Sequence, residues 1–322
     1  MIVNEMCRNE NGAPPPAGPR LFGIEVEYER AILGEHPTLY PGWRSDWGVT
    51  SDGSLRNSGV EFVSQPMTMH RAAGAFRKLT AVAQSCGWEA NARTGIHVHA
   101  DMRDLHLEQV AGVVAAYAAF EPIFFALAGA ERENCIYCVP WYRAPDQAHM
   151  MAQIVSNYRN VSWNRHGGLV KYSALYLQPL RRLGTIEFRH APTWLDPAAF
   201  RRWIAAINRV VEWGMVHTPA SVLDRCSSDI TPLVEDVFGW TAANVQDPEA
   251  LIDEADSLGT VAEMLPNTYE ASDWLVDVGE GLTEGIGYHA PSPQSRFVVM
   301  DEAVHHYDDE DIEEDYDDEE DY

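Results

Sequence analysis

Gly23-Ile24-Glu25-Val26-Glu27-Tyr28 is the stretch that decides how the rest of this chain is read. Side chains alternate faces along a strand, so Ile24, Val26 and Tyr28 point one way and Glu25 and Glu27 the other. Three more segments share the pattern: Gly59-Val60-Glu61-Phe62-Val63, Gly95-Ile96-His97-Val98-His99-Ala100 and Gly184-Thr185-Ile186-Glu187-Phe188-Arg189. Each predicts a strand with one apolar face and one face of Glu, His or Arg. Together they predict a sheet whose polar face is lined with metal-ligating groups.

On one strand face, Glu25 and Glu27 would sit about 6.5–7 Å apart. Their repulsion is about 2–3 kcal/mol at an effective dielectric near 20, so in a cleft a cation is needed to offset it. Mg²⁺ or Mn²⁺ suits such oxygen donors. For a single Glu-x-Glu, a solvated strand face is the simpler reading. The set differs, because solvent faces usually mix Thr, Lys, Ser, Arg and Gln, whereas these positions hold Glu25, Glu27, Glu61, His97, His99, Glu187 and Arg189. His-x-His alone fits a zinc pair, a satisfied core pair or chance. Beside so many carboxylates, a mixed site for Mg²⁺ or Mn²⁺ is the more consistent reading. Arg189 adds a fixed cation able to pair with a phosphate or an acyl oxyanion. Carboxylate-held metals with an arginine are the equipment of phosphoryl transfer. The chain carries no Walker-type or dinucleotide-binding glycine loop.

The chain has 322 residues, 46% hydrophobic and 22% charged, enough for a substantial core. Its formal net charge is −26, and residues 307–322 hold 12 of the 49 acidic residues with no Lys or Arg. The remaining 37 acidic against 23 basic residues still leave an acidic body. That argues against nucleic-acid binding, which needs a basic surface. Five cysteines, sparse and odd in number, fit a reduced, cytoplasmic protein. Cys135 and Cys138 form a lone C-x-x-C, open to redox and zinc readings or to two thiols near a core. No export signal precedes the Ala13-Pro14-Pro15-Pro16 stretch. Val110 to Ala130 is the most apolar run, but Glu121-Pro122 interrupts it, so a buried kinked helix is expected there, not a membrane span.

Along the chain, residues 1–20 read as a flexible arm and 21–219 as the catalytic domain. Residues 220–300 read as a peripheral, mostly helical appendage and 301–322 as a disordered acidic tail. Asp52-Gly53-Ser54 is a turn signal before the Val60–Ser64 strand. Helices are predicted from Thr68 or Met69 to about Ser85, with Gly87 beyond the end, and over Leu105–Leu127, near Asp146–Asn157, and from Asp196-Pro197 to about His217. Lys171–Gln178 reads as a strand antiparallel to Gly184–His190 across Pro179 to Leu183.

Phe22-Gly23-Ile24-Glu25-Val26-Glu27, Asp52-Gly53-Ser54, Glu61-Phe62-Val63-Ser64, Gly95-Ile96-His97-Val98-His99, Lys171-Tyr172 and Gly184-Thr185-Ile186-Glu187-Phe188-Arg189 resemble, in order, the motifs of the amidoligase family. That family is a branch of the glutamine synthetase and glutamate–cysteine ligase superfamily of carboxylate–amine ligases, and the resemblance covers residues 21 to about 215. It implies an α+β fold in which a curved antiparallel sheet forms a funnel with helices outside. It also implies ATP and two or three divalent ions within. By analogy Glu25, Glu27, Glu61, His97 and Glu187 match metal ligands. His99 matches a nucleotide contact, and Arg189 the arginine that steadies the transferred phosphoryl group. Asp52 falls where it would orient or deprotonate the amine, although the same residues are a turn signature. Lys171 and Arg132 fall near nucleotide-contacting positions, with an exposed strand lysine and a surface ion pair as their plainer readings. Tyr176 departs from the family, which often has asparagine there.

The implied activity is an ATP-dependent amide-bond ligase acting through an acyl phosphate on amino-acid or peptide substrates, with no membrane or nucleic-acid partner. A metal-dependent hydrolase built on His97, His99 and the glutamates is the alternative, as is a catalytically silent scaffold whose acidic tail contacts a basic protein.

Overall fold

The computed structural model describes residues 2–4, 18–32, 45–141, 172–226 and 237–238. The helix expected near 146–157, Lys171, most of the 220–300 appendage and the acidic tail lie outside these residues.

The strands are β1 (Leu21–Tyr28), β2 (Trp47–Thr50), β3 (Val60–Ser64), β4 (Met67–Thr68), β5 (Gly95–Asp101), β6 (Leu175–Tyr176) and β7 (Thr185–Pro192). The helices are α1 (Met69–Cys86), α2 (Leu107–Ala128), the single turn α3 (Pro179–Arg182), α4 (Pro197–Gly214) and α5 (Pro219–Cys226). All seven strands join one open antiparallel sheet in the order β2-β3-β1-β5-β7-β6, with β4 pairing the start of β1. The protein is therefore α+β, with helices between and after the strands.

One face of the sheet is apolar. Phe22, Ile24, Val26, Tyr28, Phe62, Ile96, Val98, Ala100, Ile186 and Phe188 are buried in the core shared with α1, α2 and α4. Phe76 of α1 stacks on Phe200 of α4 at 4.1 Å, and Phe124 of α2 meets Trp203 of α4 edge-on at 5.3 Å. Each such side chain contributes about 1.5–3 kcal/mol by burial, which fixes the sheet against the helices. What remains exposed to a ligand is the opposite, polar face.

The helix ends follow their sequence signals. Gly87 closes α1 in the left-handed conformation (φ 67°), its N–H bonded back to the last turn. Asp196 caps α4 by accepting from Ala198 N and Ala199 N, at 2.8 and 3.1 Å, with Pro197 in the first turn. A capping box between His106 and Gln109 starts α2. This helix runs through positions 121 and 122 as one element, as the long core helix expected over Leu105–Leu127. Among the described residues no helix is long and apolar enough to cross a membrane.

Two expectations are corrected. The strand expected over 171–178 pairs with β7 only at Leu175 and Tyr176. Upstream, the Tyr172 carbonyl and Ala174 N–H are taken by the backbone of Val139, while Ala174 O still accepts from Arg189 N–H of β7 at 2.8 Å. Residues 2–4 do not behave as a flexible arm. Ile2 bridges His106, Val3 is fully buried, and Val3 N–H donates to Leu105 O at 2.8 Å, since the Val3 side chain enters the core there.

Helices α2 and α4 touch backbone to backbone. A Cβ on Gly112 would lie 2.0 Å from His217 O, and one on Gly214 2.5 Å from Val113 Cα. Gly112→Ala should therefore destabilise the protein by about 1–3 kcal/mol. Gly74→Ala in α1, where a Cβ meets nothing within 4 Å, should stabilise by about 0.5–1 kcal/mol. Urea unfolding midpoints of the two variants measure both, and equal midpoints would contradict the close helix crossing.

Candidate active site

Strand pairing puts the polar residues side by side. Glu27 stands opposite Glu61, Glu25 opposite His97, and His99 opposite Glu187. Between Ile96–Ala191 and Val98–Phe188 the register slips by one residue, a β-bulge on β7. Plain alternation keeps Arg189 on the polar face with Glu187 and turns Phe188 and His190 into the core, and the bulge falls on the Arg189–His190 stretch.

The side chains converge. Glu25 receives His97 Nδ1 and His99 Nε2, each at 3.2 Å, one on each carboxylate oxygen. Glu187 lies 3.4 Å from His97 Nδ1 and 3.8 Å from His99 Nε2, and pairs with Arg189 NH1. Glu27 accepts from Gly95 N–H at 2.6 Å. Thr185 Oγ1, which the sequence did not single out, lies 3.0 Å from His99 Nδ1 and fixes that ring. Potential ligand atoms fall into three groups, each within 4.8 Å: Glu25/Glu61/His97, Glu25/His99/Glu187 and Glu27/Asp52/Glu61. Glu25 and Glu61 are each shared by two groups. The donor set of carboxylates with two imidazoles could hold divalent metal ions.

Asp52 is thus brought within ligand reach of Glu27 and Glu61, and the turn reading of the same residues is also correct. Its carboxylate accepts from Ser54 N–H at 2.6 Å and from the Ser54 hydroxyl. The loop carrying it is moored to Glu29, a fully buried carboxylate that accepts from Arg56 N, Asn57 Nδ2, Asn91 Nδ2 and Arg93. Arg93 first, then the other donors, hold Glu29 at about 2.

The electrostatics show the strain of crowding. Burial first, then the charges of Glu25, Glu27, Asp52 and Glu187, push Glu61 up to about 8. Burial likewise raises Glu27. Burial alone would raise Glu25 too, but hydrogen bonds to His97 and His99 overcome it and bring that carboxyl below its ordinary range. Burial disfavours the charged His99, yet Glu187 and Glu25 raise it on balance. Two carboxylates about 4.8 Å apart repel by about 3 kcal/mol at an effective dielectric of 20, so the full set of charges needs counter-cations.

Arg132 is neither exposed nor ion-paired at the surface. It is 3% exposed, donates Nε to His190 O at 2.6 Å and NH2 to Arg189 O at 3.3 Å, and so braces the bulge from behind. Behind the bulge, Tyr117 O–H donates to Glu121 at 2.6 Å and accepts from His190 Nε2 at 2.7 Å, while Trp141 N–H also donates to Glu121. Lys171 lies outside the described residues. Tyr176 pairs with Glu187 across β6–β7, its hydroxyl donating to Gln178.

A cleft of about 310 Å³ adjoins Glu25 and His99 and runs past Gly23, Ser64, Asp101, Arg103, Arg182 and Thr185. Asp101 holds Arg103 by a bidentate pair at 2.7 and 2.8 Å. It continues the His97, His99 alternation, a signal present in the sequence.

The family model described as "Putative amidoligase enzyme" matches residues 25–211, every site residue from Glu25 to Arg189 included. The chain belongs to the amidoligase family. Comparison with curated proteins gives no match. The match begins at the first site carboxylate and ends within α4, so it covers the sheet's polar face and the helices α1 and α2 with most of α4 behind it.

The folded protein holds Glu61 protonated up to about pH 8, whereas the unfolded carboxyl titrates near 4.3. Its contribution to stability is complete below the unfolded value and is lost as pH rises through about 8. Glu61→Gln should therefore make the chelator-treated protein more stable than wild type at pH 8 and no more stable at pH 4. Urea midpoints across that range provide the check.

Proposed function

We propose that this chain is an ATP- and Mg²⁺-dependent carboxylate–amine ligase that joins an amino-acid or peptide acid to an amine through an acyl phosphate. The observation that carries the reading is the convergence of three overlapping ligand groups with Arg189 on one sheet face. Glu25, Glu27, Asp52, Glu61, His97, His99 and Glu187 would hold the divalent ions, which would screen phosphate charge when bound. The polar face would then be the wall of a funnel like that of glutamine synthetase.

The cleft beside Glu25 and His99 suits the nucleotide, with Arg103 held by Asp101 and Arg182 at its rim. The substrate carboxylate oxygen attacks the γ-phosphorus, the bond to the bridging oxygen breaks, and ADP leaves. Arg189 is pre-oriented by Glu187 and by the braced bulge, so it meets charge developing on the transferred group without reorganising. The amine nitrogen then attacks the acyl carbon and phosphate departs with its electron pair. Asp52, at the Glu27/Glu61 end, orients the amine and takes its proton with the carboxylate oxygen that the ion leaves free. Thr185 holds His99 in one ring orientation toward Glu25. A cytoplasmic setting, which supplies ATP, suits this chemistry.

The test is ADP release and product mass with ATP, Mg²⁺ and pools of amino acids and peptides. Amine-dependent ADP formation should vanish in Glu187→Ala, and Arg189→Lys should lower kcat about 10²–10³-fold. Metal-dependent bond cleavage without ATP would overturn the reading in favour of a hydrolase.

A further inference from the structure

Cys135 and Cys138 take no part in the ligase reading, yet the fold pairs them closely. Both are free thiols. Cys138 is fully buried with Phe125 and Ala174, and Cys135 sits half-buried at the edge of the same cluster. Cys138 N–H donates to Cys135 O at 3.2 Å, closing a turn over Ile136 and Tyr137. Such a turn keeps its end Cα atoms within about 7 Å. A disulfide spans about 4.4–6.8 Å between Cα atoms, so the backbone already suits one. The loop is anchored on its far side, where Val139 exchanges backbone hydrogen bonds with Tyr172 and Ala174 at 2.6 and 2.7 Å. Among the described residues neither cysteine joins a group of three metal-ligating side chains.

We propose that Cys135 and Cys138 form a redox-active dithiol that converts reversibly to a disulfide by exchange with low-molecular-weight disulfides. Cys135 is the attacking sulfur and Cys138 the resolving one. Cys135 is the more exposed, and Arg132 NH1 lies 3.5 Å from its sulfur. Pairing with Cys138, followed by the charge of Arg132, brings Cys135 down to about 6 despite its burial, and the Cys138 thiol also lies 3.1 Å from Arg132 O, to which it donates. The same pairing and burial drive Cys138 far above the ordinary thiol range. A thiolate beside a guanidinium, with a protonated partner thiol in reach, is the arrangement that makes a cysteine reactive.

The exchange balances. The Cys135 thiolate attacks one sulfur of RSSR, that S–S bond breaks, and RS⁻ leaves. Cys138 then loses its proton, attacks the Cys135 sulfur and expels the second RS⁻. The two protein thiols give up two electrons, and RSSR becomes two RSH. Oxidation removes the sulfur acceptor of Arg132, whose other N–H groups hold the carbonyls of Arg189 and His190. The dithiol therefore bears on the residue that braces the bulge.

The full chain is equilibrated with mixtures of reduced and oxidised glutathione, quenched in acid with an alkylating agent, and mapped by peptide mass spectrometry. A Cys135–Cys138 disulfide that dithiothreitol reverses is the expected result. Cys138→Ala should stop at a glutathione adduct on Cys135. In the reduced native protein at pH 7, Cys135 should alkylate about tenfold faster than Cys86. Thiols that stay reduced across the whole glutathione range would overturn the proposal. So would an adduct forming first on Cys138, or Cys135 pairing with Cys7, Cys86 or Cys226. None of these outcomes depends on ligase activity, so failure here and failure of the ligase reading are told apart.

Discussion

The register between β1 and its two neighbours governs everything else in this molecule. Glu25 lies opposite Val63 on one side and His97 on the other, and Glu27 lies opposite Glu61. A slip of one residue would turn the carboxylates into the core and Ile24 and Val26 out to solvent. Several contacts resist that slip. Thr193 Oγ1 donates to Glu27 O at 2.9 Å and reaches Gly95 O at 3.1 Å, tying the end of β1 to the start of β5. Ser64 Oγ accepts from Ile24 N–H at 2.9 Å, and Glu29 and Glu89 exchange backbone bonds just beyond the strand. The apolar face supplies the free energy, and these polar pins select one register among the alternatives.

That selection comes at an electrostatic cost which explains the chemistry. Hydrophobic burial on one side of each strand forces Glu25, Glu27, Glu61 and Glu187 onto a common face with Asp52. Among the described residues Arg189 and the two histidines oppose them there, and Glu61 is pushed up to about 8 by burial and by its neighbours. A site that cannot ionise fully by itself is one that a divalent ion completes. Strand β7 adds the second requirement, a cation aimed at the same space, since alternation places Arg189 beside Glu187 while His190 anchors to Tyr117 in the core.

Much of this was legible in the chain itself. Alternation marked β1, β3, β5 and β7 and identified their polar residues, because burial of one sheet face leaves a strict period of two. Gly87 and Asp196-Pro197 marked helix ends for reasons local to a few residues. What was hidden depends on distant partners. Nothing near Arg132 reveals that it braces carbonyls more than fifty residues away. Glu121 read as an interruption of an apolar run, whereas it is the acceptor for Tyr117 and Trp141 in the core. The bulge leaves no mark in the alternation of Glu187, Phe188 and Arg189, since its extra residue shows only against β5. Residues 172–174 carried a strand pattern, but Val139 competes for the Tyr172 carbonyl and the Ala174 N–H and shortens the pairing with β7.

The central claim is that this polar face is a container for divalent cations. Anomalous diffraction from crystals of the chain grown with Mn²⁺ tests it most directly. The account predicts manganese peaks within bonding distance of the Glu25/His99/Glu187, Glu25/Glu61/His97 and Glu27/Asp52/Glu61 groups, with Glu25 and Glu61 bridging. Peaks confined to other parts of the surface, or this face free of manganese at saturating concentration, would contradict it.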